Sequence, residues 1–427
     1  MPLTVLLDPV RILIGSGQEL INDGAALLKN DQVVALGDEA RIQAAQNGIP
    51  VQQAAHQLLA PCLVDPHSVL EDPFGNHGET LKSLRHTAAR SGYGQVALLP
   101  QAKVWRDRIE RLQGFRNDNS SGDVQLHLWG ALSLNGEGDQ LSCHGDLLDR
   151  GAVGLCDGEA MPTSALLQRS LVLAEMGSAP LLVAPRDPKL QGDGMVREGV
   201  ETLRAGWPMD PIASETLPLG QLLELQRLFP EQKLWAMNLS TAEGVAMLEQ
   251  TSVRPNASVH WWHLVCDRSE LSPTAMGWCV RPSLGGPQDR EALINALDHG
   301  LINAVGVHAV PLDTEDCLLP PGQRRPGLVG HQLVLPRLWQ ALVRERQWSI
   351  PKLWEALSFG PSRLLQQPEE ELSLGSNRWL LFNPDQRWTP SLDAADGSRG
   401  ANNPLLNQEL IGAVTACGLR SPANRNG

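Results

Sequence analysis

The first residue of this chain with evident chemistry is a histidine that follows a short apolar run at 59–65. His67 stands in Asp65-Pro66-His67-Ser68-Val69. Two imidazoles two residues apart on a strand face the same way and can share one metal ion. Here the second position is Val69, whose isopropyl group offers no lone pair. Two further candidates sit at the ends of other apolar runs. Asp157 follows 152–156, and His308 lies within 304–310. His67, Asp157 and His308 would supply two imidazoles and one carboxylate, the ligand count of a one-metal catalytic zinc site. An adjacent pair, Cys143-His144, is a weak signal for a thiol nucleophile, and there is no Gly-x-Ser-x-Gly nucleophile elbow.

Such residues need strands to carry them to one place. Apolar, strand-like runs recur at 62–65, 95–100, 124–129, 152–156, 181–184, 233–238, 258–264 and 304–310. Between them lie segments of helical character at 79–90, 164–176, 219–229, 241–250 and 289–298. Ser240 and Glu243 have the spacing of a capping box for one of these helices. Strand–helix alternation repeated eight times predicts an α/β fold, a (β/α)8 TIM barrel. No Gly-rich phosphate loop follows the first strand, as an open doubly wound sheet would normally have. The hairpin pattern at 24–37 turns at Lys29-Asn30-Asp31. With the late apolar segments from Trp379 and from Leu410, it predicts a small β domain composed of both chain ends. The expected division is 1–58 for the first part of that domain, 59–368 for the barrel, and 369–427 for the returning part and a polar tail.

In such a barrel the chemistry sits where the strand C-termini converge. The strand ends then supply His67, Asp157, Ala184-Pro185-Arg186-Asp187, Asn238 and His308. His260, His263 and Cys266 offer more donors, but their spacing alternates faces around a strand end. Packing in the core and rim is the expectation there, with Trp261 and Trp262 plugging the barrel or an interface.

The 427 residues are enough for one large domain plus a smaller one. A formal net charge of −13 argues against nucleic acid or an anionic membrane as the main partner. No apolar run reaches the length of a membrane span. The N-terminus carries no signal-peptide pattern, and the 7 scattered cysteines form no CxxC pair, so a reduced cytoplasmic setting is expected.

The residues also resemble a known family. Residues 59–80 resemble the strand-one signature of bacterial dihydroorotases in the amidohydrolase superfamily. Gly151-Ala-Val-Gly-Leu-Cys-Asp157 is similar to the strand-four segment of that family. Asp187-Pro-Lys-Leu, Leu239-Ser-Thr-Ala, Asp289-Arg-Glu-Ala-Leu, Pro326-Gly-Leu-Val-Gly and Pro361-Ser-Arg-Leu-Leu follow in the family's order. The run from Leu374 to Pro384 is similar to the returning strand of the composite β domain. The likeness covers nearly the whole chain. It implies the amidohydrolase form of the barrel with a β-sandwich, and a zinc-dependent interconversion of carbamoyl aspartate and dihydroorotate in pyrimidine synthesis. That chemistry needs a metal to acidify water and a carboxylate to move the proton.

Position by position, the resemblance keeps His67 and Asp157 and departs elsewhere. Val69 stands for the second strand-one His, Ala184 and Asn238 for the strand-five and strand-six His ligands, and His308 for the strand-eight catalytic Asp. Glu71 stands for the Arg that clamps the substrate carboxylate, Gln101 for the Asn after strand two, and Arg281 for the Asn before a Pro-Pro. Val and Ala donate nothing, and Glu71 would repel a dicarboxylate. The expectation is a dihydroorotase-like protein without functional catalytic residues and with no cofactor. The resemblance implies a structural or regulatory role beside aspartate carbamoyltransferase, or self-association. Two alternatives stay open: a hydrolase with one zinc at His67, Asp157 and His308, and a sensor binding an anionic metabolite through Arg186 and Arg281.

Overall fold

A computed structural model describes residues 4–75, 78–113, 123–270, 275–392 and 399–419. The first four strands, β1 (Thr4–Ile12), β2 (Ile21–Lys29), β3 (Gln32–Leu36) and β4 (Val51–Pro61), belong to the small domain. The barrel strands follow as β5 (Leu63–Ser68), β6 (Tyr93–Leu98), β7 (Gln125–Ala131), β8 (Ala152–Cys156) and β9 (Leu181–Val183). A short parallel pair, β10 (Val196–Arg197) and β11 (Met209–Asp210), interrupts them. The barrel resumes with β12 (Leu234–Ala236), β13 (Asn256–His260) and β14 (Ala304–Gly306). The chain returns to the small domain with β15 (Trp379–Trp388) and β16 (Leu410–Cys417).

The eight barrel strands pair in parallel in the order β14-β13-β12-β9-β8-β7-β6-β5. The circle closes just beyond β14, where His308 N donates to His67 O (3.0 Å) and Val69 N to Ala309 O (2.7 Å). Asp65 fastens the same seam, its Oδ1 accepting from Val307 N at 3.1 Å. The expected TIM barrel is therefore present, with all eight strands at or near their predicted places. Gly306 makes the seam possible. A Cβ there would lie 2.1 Å from Cε1 of His67. The ring is fixed by contacts at both nitrogens, so Gly306→Ala should cost roughly 1–3 kcal/mol by overpacking. A chemical denaturation midpoint equal to that of the unaltered protein would show instead that the His67 ring turns aside freely.

The small domain is one six-stranded sheet, β16-β15-β4-β1-β2-β3, built from both chain ends as expected. The hairpin turns at Asn30 and Asp31, both with positive φ (50° and 64°), which suits a two-residue turn between twisted strands. Three local readings change. The run at 59–65 is not one strand: Pro61 ends β4, and β5 begins at Leu63. The segment 258–264 is extended only to His260 and then coils into a 3-10 turn, Trp261–Leu264. The cap at 241–250 is Thr241, whose side chain accepts from Gly244 N (3.0 Å). Ser240 instead donates to the buried Glu215. No helix of the described residues is long and apolar enough to cross a membrane.

Candidate functional site at the barrel mouth

The strand ends fill the mouth mainly with apolar side chains. Val69 and Ala184 are buried in one cluster with Val64, Ala97, Leu99, Trp129 and Met237. Two positions that the resemblance assigns to ligands are thus part of the packed core. The third, Asn238, is buried with a left-handed φ of 56°, and its Oδ1 has no hydrogen-bond partner.

The polar groups that remain form a chain. Ser258 Oγ accepts from Asn238 N (3.1 Å) and lies 3.0 Å from Nε2 of His67. Nδ1 of His67 is 3.2 Å from Nδ1 of His308. Nε2 of His308 is 3.5 Å from Oε1 of Glu159. As a neutral imidazole, His67 can bond Ser258 through Nε2 and His308 through Nδ1. Burial, reinforced by His308, pushes the His67 imidazole down to about 3, so it is neutral at physiological pH.

Glu159 is the residue that sequence reasoning missed. It lies in the turn that follows β8, past Gly158 with its left-handed φ of 75°, so no strand periodicity pointed to it. Its Oε2 is 3.6 Å from Arg281 Nη1 and 3.9 Å from Arg186 Nη1. Burial alone would raise this carboxyl, but His308 and the two arginines outweigh it and hold it down at about 2. Burial and Arg281 together lower the Arg186 guanidinium to about 10. The cleft between these groups, walled by Ala184, Met237 and Pro282 and reached by Glu215, has a volume of about 20 Å³. That is room for one water.

Asp157 does not join His67 and His308. Its Oδ1 accepts from Ser133 N (2.8 Å) and its Oδ2 from Ser133 Oγ. Burial raises its carboxyl despite those bonds. Among the described residues no group of three or more His, Cys, Asp or Glu side chains is placed to hold a metal ion. The donor set that zinc would need therefore does not fit here: two histidines bonded to each other, an aspartate bound to Ser133, and an orphaned amide.

The other candidates are placed as follows. Glu71 lies on the rim, half exposed, paired with Arg325. Gln101 is partly buried with an unpartnered Oε1. His260 Nδ1 accepts from Trp262 N (3.0 Å), and His263 Nε2 donates to Pro282 O (3.1 Å). Cys266 is buried beside them, and Trp261 and Trp262 pack in the main core. Cys143 is exposed, whereas His144 is buried with Nε2 donating to Leu132 O (2.9 Å).

Beside the cleft lies a buried ion cluster, one of whose carboxylates, Glu215, also lines it. Arg197 Nη1 is 3.2 Å from Asp210 Oδ2 and donates to Ser214 Oγ (2.7 Å). Its Nη2 donates to Glu215 Oε2 (3.2 Å) and Ser240 Oγ (3.0 Å). Glu215 in turn accepts from Ser240 N, Thr241 N and Thr241 Oγ1. This cluster fixes the segment that follows β12, and with it Asn238.

No family model matches the chain. It is 32% identical over 392 residues to a probable dihydroorotase-like protein of Synechocystis, covering 84% of this chain and 87% of that protein. It is 22% identical over 407 residues to a dihydroorotase of Listeria monocytogenes, covering 94% of each. Among solved structures, L-hydantoinase (dihydropyrimidinase) from Arthrobacter aurescens superposes with a TM-score of 0.75 at 17% identity, over 98% of this chain and 96% of that one. Dihydropyrimidinase from Brevibacillus agri gives the same score and identity over 98% and 94%. The structural likeness extends the shared fold, barrel and small β domain alike. The sequence likeness is the more specific, and by it the chain belongs to the dihydroorotase-like proteins of the amidohydrolase superfamily.

Proposed function

We propose that this dihydroorotase-like protein has lost zinc-dependent hydrolysis and serves as a non-catalytic structural or regulatory partner of aspartate carbamoyltransferase. The packing of Val69 and Ala184 into the apolar bore carries most weight. Metal ligands cannot be recovered there by a change of rotamer, because those side chains have no donor atoms. The cleft supports the same conclusion, since pockets for small molecules run to about 300 Å³ or more and this one offers about 20 Å³.

A partner role draws support from the rim. Phe74, Val104 and Leu318 are 70%, 56% and 79% exposed. Their loops are tied together by Lys103 N donating to Glu71 O (2.9 Å) and by the Glu71–Arg325 pair. Exposed apolar side chains on linked loops suit a protein partner.

Purified protein should contain no stoichiometric zinc and should neither hydrolyse dihydroorotate nor cyclise carbamoyl aspartate. Stoichiometric zinc that disappears in His67→Ala, together with turnover, would overturn the loss of catalysis. Mixed with aspartate carbamoyltransferase of the same organism, it should co-sediment, and Val104→Asp with Leu318→Asp should weaken the complex. Independent sedimentation of the two proteins would dismiss the partnership.

A further inference from the structure

The end of the barrel opposite the mouth is open. A cavity of about 680 Å³ lies there, beneath the starts of β12 and β13. Lys233 stands just before β12, Trp235 is the middle residue of that strand, and Asn256 opens β13; all three line the cavity. Trp235 and Asn256 are partners in the parallel register of the two strands, so their side chains leave the sheet side by side. Trp235 is 5% exposed and packs in the bore with Leu364 and Leu365. Among the described residues its indole N–H has no acceptor, and neither the Lys233 ammonium nor the Asn256 carboxamide has a partner. The N–H of a buried tryptophan usually finds a partner, and a donor left unmade is costly, so it asks for an acceptor from the cavity. The other cations of the wall are already matched. Lys352 Nζ is 2.5 Å from Asp298 Oδ1, and Arg363 pairs with Glu355 and Glu369. Lys233 is the positive charge left over, beside two neutral donors.

We propose that this end of the barrel binds the phosphate monoester of a small polyol, a sugar phosphate. The phosphate oxygens accept from Lys233 Nζ, from Trp235 Nε1 and from the Asn256 amide. Lysine meets phosphate as a point charge, which needs no fixed fork. The rest of the wall offers acceptors: the carboxylates of Asp298 and Glu355, and Oε1 of Gln367, whose Nε2 already donates to Leu365 O. Hydroxyl groups suit those acceptors, whereas a second phosphate would be repelled by the two carboxylates. One anionic group joined to several hydroxyls is the chemistry that satisfies both sides. The volume falls among those of small-molecule pockets, about 300–1,000 Å³. Barrels of this type keep their chemistry at the other, C-terminal end. The site is therefore independent of whether the mouth retains a metal. It spans the starts of β12 and β13 and the helix Gly360–Leu364, after which the chain runs on to β15. A ligand there ties the barrel floor to the segment that leads into the small domain.

The full-length protein is titrated with ribose 5-phosphate, with ribose and with inorganic phosphate. Melting temperature is the readout, with sodium chloride at matched ionic strength as the control. Ribose 5-phosphate should raise the melting temperature saturably, by about 3 °C at a hundredfold excess over Kd. Ribose should give no saturable shift. Inorganic phosphate should bind at least about fivefold more weakly than the ester, because it leaves the acceptors unmet. Lys233 is exposed, so Lys233→Ala should fold normally, and it should bind the ester at least about tenfold more weakly. Trp235→Phe keeps an aromatic ring and removes the N–H, and it should lose about fivefold. If Trp235→Phe does not fold, Lys233→Ala decides alone. Arg281→Ala, at the mouth, should bind as the unaltered protein does. The site is overturned by the absence of a saturable shift with ribose 5-phosphate, or by unchanged affinity in Lys233→Ala or in a folded Trp235→Phe. Loss of binding in Arg281→Ala also overturns it, by moving the anion to the mouth. Inorganic phosphate or ribose binding as tightly as the ester overturns the sugar-phosphate assignment.

Discussion

Acidification from pH 7 to pH 5 should destabilise this protein by an amount comparable to its whole folding free energy. The cause is a set of buried, neutral histidines. His67 and His263 are pushed down to about 3 and about 4, in each case chiefly by burial. His260 is driven well below its usual 6.5, by burial first and then by its histidine neighbours. Their folded values lie below the unfolded one, so the unfolded chain takes up protons that the native state refuses. The penalty therefore begins as pH falls through about 6.5 and grows until the folded values near 3–4 are reached. One pH unit in that window costs about 1.4 kcal/mol per histidine. At pH 5, His67 and His263 together account for about 4 kcal/mol, and His260 adds to it with the same sign. Asp65 works in the same direction at lower pH: burial would raise its carboxyl, but His331 and Ser68 more than offset this and hold it down. Domains are typically stable by about 5–15 kcal/mol. Melting temperature should fall steeply between pH 6.5 and 4, with proton uptake on unfolding of about two or more near pH 5. A melting temperature that is flat from pH 7 to 5 would mean that these rings are hydrated or already charged.

Arg197→Ala should cost about 3–5 kcal/mol, the largest loss expected of any single substitution here. Arg197 is 1% exposed, and it is the cation between two fully buried carboxylates, Asp210 and Glu215. Removing it leaves both charges in the interior without a counter-ion. The loss should not reflect the removal of a net stabilising interaction, since buried ion clusters roughly break even against neutral packing. The triple variant Arg197→Met, Asp210→Asn, Glu215→Gln should accordingly recover most of the stability. Denaturant midpoints at unchanged m-value decide it. A loss below about 1 kcal/mol in Arg197→Ala would mean that water enters and solvates the carboxylates.

The architecture was legible because strand and helix signals alternate with little interference. The run 152–156 coincides with β8, and the other barrel strands shift by only a few residues at their ends. The errors have local causes. Pro61 splits one apolar run into strands of two different sheets, and apolarity does not reveal which sheet a residue joins. The Trp-Trp pair continues an apolar pattern past His260, but the backbone coils there. Ser240 has capping-box spacing, yet the buried Glu215, 25 residues earlier, claims it, and no local rule foresees a long-range partner. The mouth was legible in its substitutions and illegible in its contacts. Val69 and Ala184 announce themselves as donors lost. The pairing of His67 with His308 and of Asp157 with Ser133 depends on which strand ends meet across the bore, and so does the encirclement of Glu159.

The small sheet imposes an order on synthesis. β4 is paired on one side by β1, and its other side is taken by β15, whose first residue is Trp379. Until the ribosome has delivered that strand, a nascent chain carrying a finished barrel still shows the bare edge of β4 at Leu58–Pro61, an invitation to strands from other molecules. Domains commonly assemble as they emerge, amino-terminal part first, but this one must wait for its last tenth. Chaperone attendance late in translation, and aggregation of products cut short before Trp379, follow from that wait.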